Sequence, residues 1–261
     1  MQKVHPDRLP DTDVPWPPTE DDLPSSDGMP METHRHVLQM TLLMDVLMVL
    51  WADRTDVFVG GNMFVYFSPD QLLTQDFRGP DVFVVFGGVE ARERKSWIVW
   101  QEGGRGPDVV IELLSESTAQ RDKTEKKRIY QDRLRVPEYF WYDPFSAELV
   151  GFALLDGEYQ PITPDAAGRL PCGPLDLTLR RWNGTYGGVE ATWLRWATAD
   201  GSLLPTAAEL AAEQERRAED EQRRADEERQ RADRAEQRIA ELEARLARIE
   251  AQLGGSPDEA G

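Results

Sequence analysis

The fold is decided by the stretch GPDVVIELLSESTAQRDKTEKKRIYQDRLRVPEYFWY, residues 106–142. Its apolar run at 108–114 has the length and β-branched content of a buried strand. A helix is predicted to follow as far as about Leu134, and Pro137 ends it. Residues 138–142 are again aromatic and predict a second strand. The stretch therefore indicates strand, helix, strand.

The segments on either side supply a helix and more strands. Thr33–Ala52 is apolar nearly all round, which predicts a helix buried on most sides. Asp56–Phe67 predicts two strands separated by a kink or tight turn at Gly60-Gly61. Asp156-Gly157 predicts the primed turn of a hairpin between residues 148–155 and 158–162. Further strands are predicted at 81–86, 97–100, 175–182 and 191–196.

The chain divides into four parts by composition. Residues 1–30 are rich in proline and acid and predict an irregular acidic lead-in. Residues 31–200 predict one mixed α/β domain. Residues 206–253 predict a coiled-coil helix, because they lack aromatic residues, glycine, proline and lysine. Residues 254–261 are expected to be a disordered tail.

The C-terminal segment carries a seven-residue repeat. One series has small or apolar residues throughout, whereas the offset series becomes apolar only from about Ala232 onward. This favours a coiled coil over roughly three heptads, through which the chain would form a homo-oligomer. A solvated charged helix without a partner is the alternative.

Composition limits the classes of function. Cys172 is the only cysteine of the 261 residues, which excludes a disulfide framework and cysteine-rich zinc sites and fits a reducing cytoplasm. No apolar run approaches the roughly 18 residues of a membrane span, so no membrane association is expected. The formal net charge of −18 argues against DNA as a partner. Residues 121–135, however, are clearly basic.

Three carboxylates are candidate functional groups. Asp81 and Asp108 each follow Gly-Pro at the entry of an apolar strand, which on its own is ordinary turn chemistry. Glu112 lies inside the strand at 108–114, where a charge is unfavourable by several kcal/mol unless it is paired or binds a metal. Glu112 is therefore expected either to pair with a buried Arg or Lys, or to face a cleft and bind a cation.

Strand geometry separates the candidate ligands. Asp108 and Glu112 share a strand face but lie roughly 13 Å apart along a regular strand, so both cannot bind one ion. Asp81, at the entry of a neighbouring strand, can approach Glu112. We expect Asp81 and Glu112 to bind Mg²⁺ or Mn²⁺, with Asp108 as a secondary candidate. On the next helix, Asp122, Lys126 and Tyr130 follow at four-residue intervals and line one face.

These residues resemble the Uma-two family, which belongs to the restriction-endonuclease-like PD-(D/E)XK superfamily of nucleases. The matching stretches are SSDGMPMETHRH (25–36), GGNMFVYFS (60–68), FRGPDVFVVFG (77–87) and the block at 106–146. The resemblance covers roughly residues 20–200. It implies a core of helix, mixed sheet and helix, here with added β-hairpins and a C-terminal coiled-coil helix.

The resemblance also implies roles. The metal-binding aspartate falls on Asp81 and the glutamate of the E-x-K element on Glu112. The acid of the first helix best matches Glu32, with His36 as a competing position. Leu114 stands where E-x-K has its lysine, and Lys126 is the lysine expected to replace it. Asp122 and Tyr130 are supporting candidates.

Two functions remain open. The first is a metal-dependent DNA endonuclease that hydrolyses phosphodiester bonds with Asp81, Glu112 and Lys126. The second is a nuclease-fold protein without catalysis that acts as a binding or assembly module through its coiled coil. Leu114 and the acidic net charge favour the second function. Glu112 within an apolar strand and Lys126 on the adjoining helix favour the first.

Overall fold

A computed structural model describes residues 17–25, 33–69, 77–90, 92–115 and 117–253 of the chain. The chain divides into two units, which we call the body (up to Ala207) and the tail (from Ala208). Most of the acidic lead-in and all of residues 254–261 lie outside the described residues, so the expectations for them stay predictions. None of the helices in the described ranges is both long and apolar enough to span a membrane.

The body begins with one helix and six strands. They are α1 (His34–Leu50), β1 (Val57–Gly60), β2 (Val65–Tyr66), β3 (Phe77–Arg78), β4 (Val82–Phe86), β5 (Trp97–Ile98) and β6 (Val109–Leu113).

Six strands follow the helical segment at residues 119–134. They are β7 (Glu138–Tyr142), β8 (Leu149–Leu155), β9 (Glu158–Pro161), β10 (Leu170–Cys172), β11 (Leu177–Tyr186) and β12 (Val189–Ala197). The strands predicted around residues 57, 82, 109, 138 and 149 are thereby confirmed, and the short β3 and β10 were not predicted.

A six-stranded mixed sheet forms the centre of the body, in the order β1-β4-β6-β7-β8-β9. β6 and β7 are parallel, while their neighbours on either side run antiparallel. The helical segment at 119–134 connects the two parallel strands. Together with α1 this is the expected core of helix, mixed sheet and helix. Two three-stranded sheets, β10-β11-β12 and β3-β2-β5, complete the body.

The helical segment at 119–134 alternates between α and π turns. α2 (Ala119–Arg121) and α3 (Lys127–Ile129) are each followed by a π stretch, at Asp122–Lys126 and at Tyr130–Leu134. We call the whole segment the bulged helix. It ends at Arg135 in the left-handed conformation, just before Val136-Pro137.

α1 is buried or half-buried around most of its circumference, as predicted, and its exposed residues other than Leu50 form one stripe. Thr33 caps its start by accepting a hydrogen bond from the backbone N–H of His36. The side chain of Gln39 donates to the carbonyl of Leu194 at 2.9 Å and accepts from its N–H at 2.9 Å, which attaches the helix to β12. Met48 on another face is 51% exposed. The body thus covers most of α1 and leaves exposed the stripe that contains Met48.

The predicted hairpin turn is confirmed. Asp156 and Gly157 both have positive φ, at 52° and 89°, as a primed turn between β8 and β9 requires. The tail consists of α4 (Ala207–Leu253), 47 residues in one uninterrupted helix, as the composition of that segment indicates.

Candidate active site

Glu112 faces the layer beneath the bulged helix. Side chains alternate along β6: Val109, Ile111 and Leu113 join the core on the α1 side. Val110 joins the other core together with Tyr130 of the bulged helix. Glu112 shares that second face and is fully buried, with 0% exposure.

Asp81 comes next to Glu112 through the register of the sheet. Val82 pairs with Ile111 across antiparallel strands, so Asp81 stands opposite Glu112. The Asp81 Oδ2 accepts a hydrogen bond from the backbone N–H of Leu113 at 2.7 Å. The two carboxyl groups are close enough that each affects the pKa of the other. Asp81 is partly exposed as a residue, whereas Glu112 beside it is fully buried.

The Gly60-Gly61 kink supports the backbone of Asp81. The N–H of Asn62, which has a positive φ of 47°, lies 3.1 Å from the carbonyl oxygen of Pro80 and 3.3 Å from that of Asp81. A Cβ on Gly61 would stand 3.0 Å from the same Asp81 oxygen. From the sequence, Gly60-Gly61 was predicted to be a kink or tight turn between strands, without a contact to Asp81. Gly-Gly-Asn was the available signal that another backbone approaches closely here.

The bulged helix adds an amine and a phenol. Lys126 Nζ lies 3.0 Å from Glu112 Oε2 and 2.7 Å from Asp122 Oδ1. The Tyr130 hydroxyl donates to Glu112 Oε1 at 2.6 Å. Lys126 thus reaches the glutamate from the helix, whereas Leu114, at the lysine position of E-x-K, is buried in the core.

The π turns explain why Asp122, Lys126 and Tyr130 all reach one site. In a regular α-helix, residues eight apart are offset by about 80° around the axis. A π turn closes its hydrogen bond one residue later, which lengthens the repeat and reduces this offset. Such bulges occur frequently at functional sites.

The electrostatics of the site are unbalanced. Burial raises the pKa of Glu112 to about 8 against the influence of Lys126, and the charges of Asp81 and Asp122 raise it as well. Burial likewise raises the pKa of Asp81 to about 6. Burial alone would lower the pKa of Lys126, but Glu112, Asp122 and Asp81 outweigh it, so this pKa lies above its usual value. Lys126 therefore stays charged, while Glu112 retains its proton near neutral pH.

Two other predicted residues, Asp108 and His36, are not brought to this cluster. Asp108 lies at the far end of β6, where its Oδ2 accepts from the N–H of Phe86 at 2.7 Å. The antiparallel strands carry it away from Asp81, so the geometry does not support Asp108 as a third ligand. Glu32 lies outside the described residues.

His36 is placed as a tether. Its Nε2 lies 3.0 Å from the carbonyl oxygen of Leu114, and its Nδ1 lies 2.8 Å from Thr33 Oγ1. Because a carbonyl only accepts, Nε2 carries the proton of that hydrogen bond. His36 thereby links the start of α1 to the end of β6, and both of its ring nitrogens are engaged.

The donor set fits a hard divalent cation. Mg²⁺ is commonly bound by one or two carboxylates with water completing its shell, and Asp81 and Glu112 supply two adjacent carboxyl groups. A cation bound there would offset the mutual repulsion of these carboxylates, which together with Asp122 outnumber the single ammonium of Lys126. Across the residues that the structure describes, no group of three or more His, Cys, Asp or Glu side chains is placed to hold a metal ion, so a cation here would depend on Asp81, Glu112 and water.

The family model described as "Uma2: Putative restriction endonuclease" matches residues 27–181, more than half of the chain. The chain belongs to this family. The matched range includes α1, the central sheet, the bulged helix, and all of Asp81, Glu112, Asp122, Lys126 and Tyr130. Membership supports a nuclease-like function.

The chain is similar to a solved structure, whereas no curated protein matches it. The chain is similar to a crystal structure titled as a putative nuclease from Anabaena variabilis ATCC 29413, with 18% identity and a TM-score of 0.41. The similarity covers 58% of this chain and 88% of that one.

Proposed function

We propose that the protein is a metal-dependent DNA endonuclease that hydrolyses phosphodiester bonds. One observation carries the proposal: Asp81, Glu112 and Lys126, from two strands and the bulged helix, meet at one half-buried site with more acid than base. Membership of the Uma2 family supports it. Asp81 and Glu112 would hold Mg²⁺ or Mn²⁺, which when bound lowers the pKa of a water molecule and polarises a phosphoryl oxygen.

In the proposed hydrolysis, Lys126 would supply the positive charge that faces the phosphate. Its ammonium is held on Glu112 and Asp122 and stays protonated, so it serves as a hydrogen-bond donor rather than a base. There it would stabilise the negative charge that grows on the phosphate in the transition state. Tyr130 fixes the orientation of Glu112 through its short hydrogen bond.

The basic character of the bulged helix supports DNA as the substrate. Arg121, Arg128 and Arg133 are exposed on it. Arg128 and Arg133 line an open groove on the helix together with Glu125 and Asp132, so phosphate oxygens would compete with these carboxylates for the two arginines.

Several of the bases on the bulged helix have partners: Arg121 lies 3.5 Å from Glu125, Arg128 lies 3.9 Å from Asp132, and Lys123 lies 3.1 Å from Glu148. Lys127 lies over the ring of Phe152 at 3.5 Å. The ion pairs are largely exposed, so phosphate groups can compete for them. We therefore expect moderate, salt-sensitive binding to DNA.

Plasmid nicking with Mn²⁺ or Mg²⁺ tests the proposal. Glu112→Gln preserves the size of the side chain but removes its negative charge, and we expect it to reduce nicking about 10²-fold or more. Asp108→Asn, on the same strand face but outside the cluster, is the matched control and should keep its activity. Equal nicking by the wild type and Glu112→Gln would show that the activity does not come from this site.

We also propose that the chain self-associates through its tail. Four large apolar side chains of α4 are 44–58% exposed: Ile239, Leu242, Leu246 and Ile249. If the protein does not hydrolyse DNA, self-association through the tail would be its function. Light scattering on the full-length chain tests it, and a mass equal to one chain at micromolar concentration would reject it.

A further inference from the structure

We propose that the tail pairs with a second copy of the chain as a parallel, in-register, two-stranded coiled coil confined to about residues 231–253. This inference rests on the self-association proposed above and adds its orientation, register and extent. It does not depend on the proposed hydrolysis.

The exposed apolar side chains of α4 form one narrow stripe. Ile239, Leu242, Leu246 and Ile249 follow at intervals of three, four and three residues, which are the a and d positions of successive heptads. The remaining faces of the helix are polar or alanine. A stripe limited to a and d is the seam of a coiled coil, and the second copy covers it with an identical stripe.

The residues flanking the stripe carry opposite charges on its two sides. The g positions are Arg231, Arg238 and Arg245, and the e positions are Glu236, Glu243 and Glu250. In the single helix two of these arginines have partners at other positions: Arg238 pairs with Glu241 at 2.7 Å and Arg231 with Glu227 at 3.8 Å. All four side chains are more than half exposed, so these pairs are weak and can be exchanged.

This charge pattern distinguishes the two orientations. In a parallel in-register pair, each g position faces the e position of the next heptad of its partner. Arg231 then meets Glu236, Arg238 meets Glu243, and Arg245 meets Glu250, each from both sides of the seam. In an antiparallel pair, g faces g and e faces e, so arginines would oppose arginines and glutamates would oppose glutamates. Charge complementarity therefore selects the parallel arrangement.

The apolar stripe ends on its N-terminal side, at about Arg231. The d positions upstream of Ala235 are Glu228, Glu221 and Gln214. In a parallel in-register dimer each glutamate would face its own copy, and this repulsion disfavours pairing before about Arg231. Because both chains enter the coiled coil from the same end, both bodies are attached at that end.

Cysteine crosslinking of the full-length protein tests the orientation. In a parallel in-register pair, Ala235→Cys places the two thiols opposite each other at a d position, within reach of a disulfide. Ala244→Cys, at the outermost position of the heptad, is the matched control. The natural Cys172 is buried, so the wild type supplies the background. Under mild oxidation we expect a covalent dimer from Ala235→Cys alone.

A second variant tests the extent of the seam. Glu228→Leu removes one pair of like charges and extends the apolar stripe by one d position, which should lower the dimer dissociation constant about tenfold. An antiparallel pairing centred on residues 239–249 would leave position 228 beyond the partner and the constant unchanged.

The outcomes separate the two proposals. A monomeric wild type overturns self-association and this inference together. A wild-type dimer in which Ala235→Cys does not crosslink, or crosslinks no better than Ala244→Cys, overturns the parallel register alone. A dimer whose dissociation constant is unaffected by Glu228→Leu overturns the proposed extent.

Discussion

In the body, charged side chains lie where apolar ones are expected, because Glu112 is fully buried and Asp122 is 1% exposed in the layer beneath the bulged helix. In the tail the reverse holds, since Ile239 and Leu246 are 55% and 58% exposed on a helix whose other faces are charged. Both arrangements are unfavourable in an isolated chain. In the proposals above, a divalent cation would offset the charge of the acids, and a second helix would cover the apolar stripe. The two regions can therefore be tested independently.

The largest effect is expected from Lys126→Met. It removes the ammonium that contacts Glu112 and Asp122, and we expect nicking to fall about 10²- to 10³-fold while the mass in light scattering stays unchanged. Lys123→Met, three residues earlier on the bulged helix, is the control and should lose less than about threefold.

Loss of a buried charge partner can also unfold the body. Circular dichroism of Lys126→Met, with and without Mg²⁺, shows whether activity is lost because the body unfolds or because a folded site lacks the ammonium. A folded Lys126→Met protein with wild-type nicking would remove the lysine from the mechanism.

The next effect concerns the tail. Leu242→Glu places a charge in the apolar stripe, where it would face its own copy, and we expect the dimer dissociation constant to rise about 10²-fold. Ala244→Glu adds the same charge on the outer face and should leave the constant within about threefold. Analytical ultracentrifugation at several concentrations measures both. Identical behaviour of the two variants would show that the stripe is not the interface.

A smaller effect is expected from pH in the metal-free protein. In the folded state the pKa of Glu112 is about 8 and that of Asp81 about 6, both above their ordinary values of 4.5 and 3.8. The folded chain therefore retains protons that the unfolded chain has released. These groups make folding less favourable as pH rises from about 4 to 8, with no further loss above the folded pKa.

Glu112→Gln does not titrate and should flatten this dependence. The measurement is the thermal midpoint in EDTA at pH 6 and 8.5, and the difference between the two midpoints should be larger for the wild type than for Glu112→Gln. Equal differences would mean that Glu112 does not hold a proton in this range.

The smallest effect is expected from Tyr130→Phe. It removes only the hydroxyl that donates to Glu112, so we expect about 1–3 kcal/mol of lost stability in urea unfolding and about a tenfold slower rate of nicking. Tyr159→Phe is the control, because its hydroxyl donates to the carbonyl of Val136 and not to the acids. A Tyr130→Phe rate equal to that of the control would show that the orientation of Glu112 does not depend on the phenol.

Local patterns were sufficient for much of the fold. Three local signals were enough: the Val and Ile residues of β6, Pro137 at the end of the bulged helix, and Asp156-Gly157 in the hairpin. Each acts through residues next to it in the chain, so the sequence shows it directly. The same holds for α4, because a seven-residue repeat is a property of one helix. The short β3 and β10 were not predicted, because strands of two and three residues have too few side chains to form a pattern.

The sequence by itself determined which residues could carry chemistry, since a charged Glu112 in an apolar strand and the four-residue spacing of Asp122, Lys126 and Tyr130 are readable from the order of residues. Only the tertiary structure decided which of them meet. The pairing of Val82 with Ile111 sets Asp81 opposite Glu112 and carries Asp108 away, and the π turns direct Lys126 and Tyr130 at the same carboxyl group. The reason is that strand register and helix repeat depend on contacts between residues far apart in the chain, and a displacement of one residue would turn each carboxylate to the other face of the sheet.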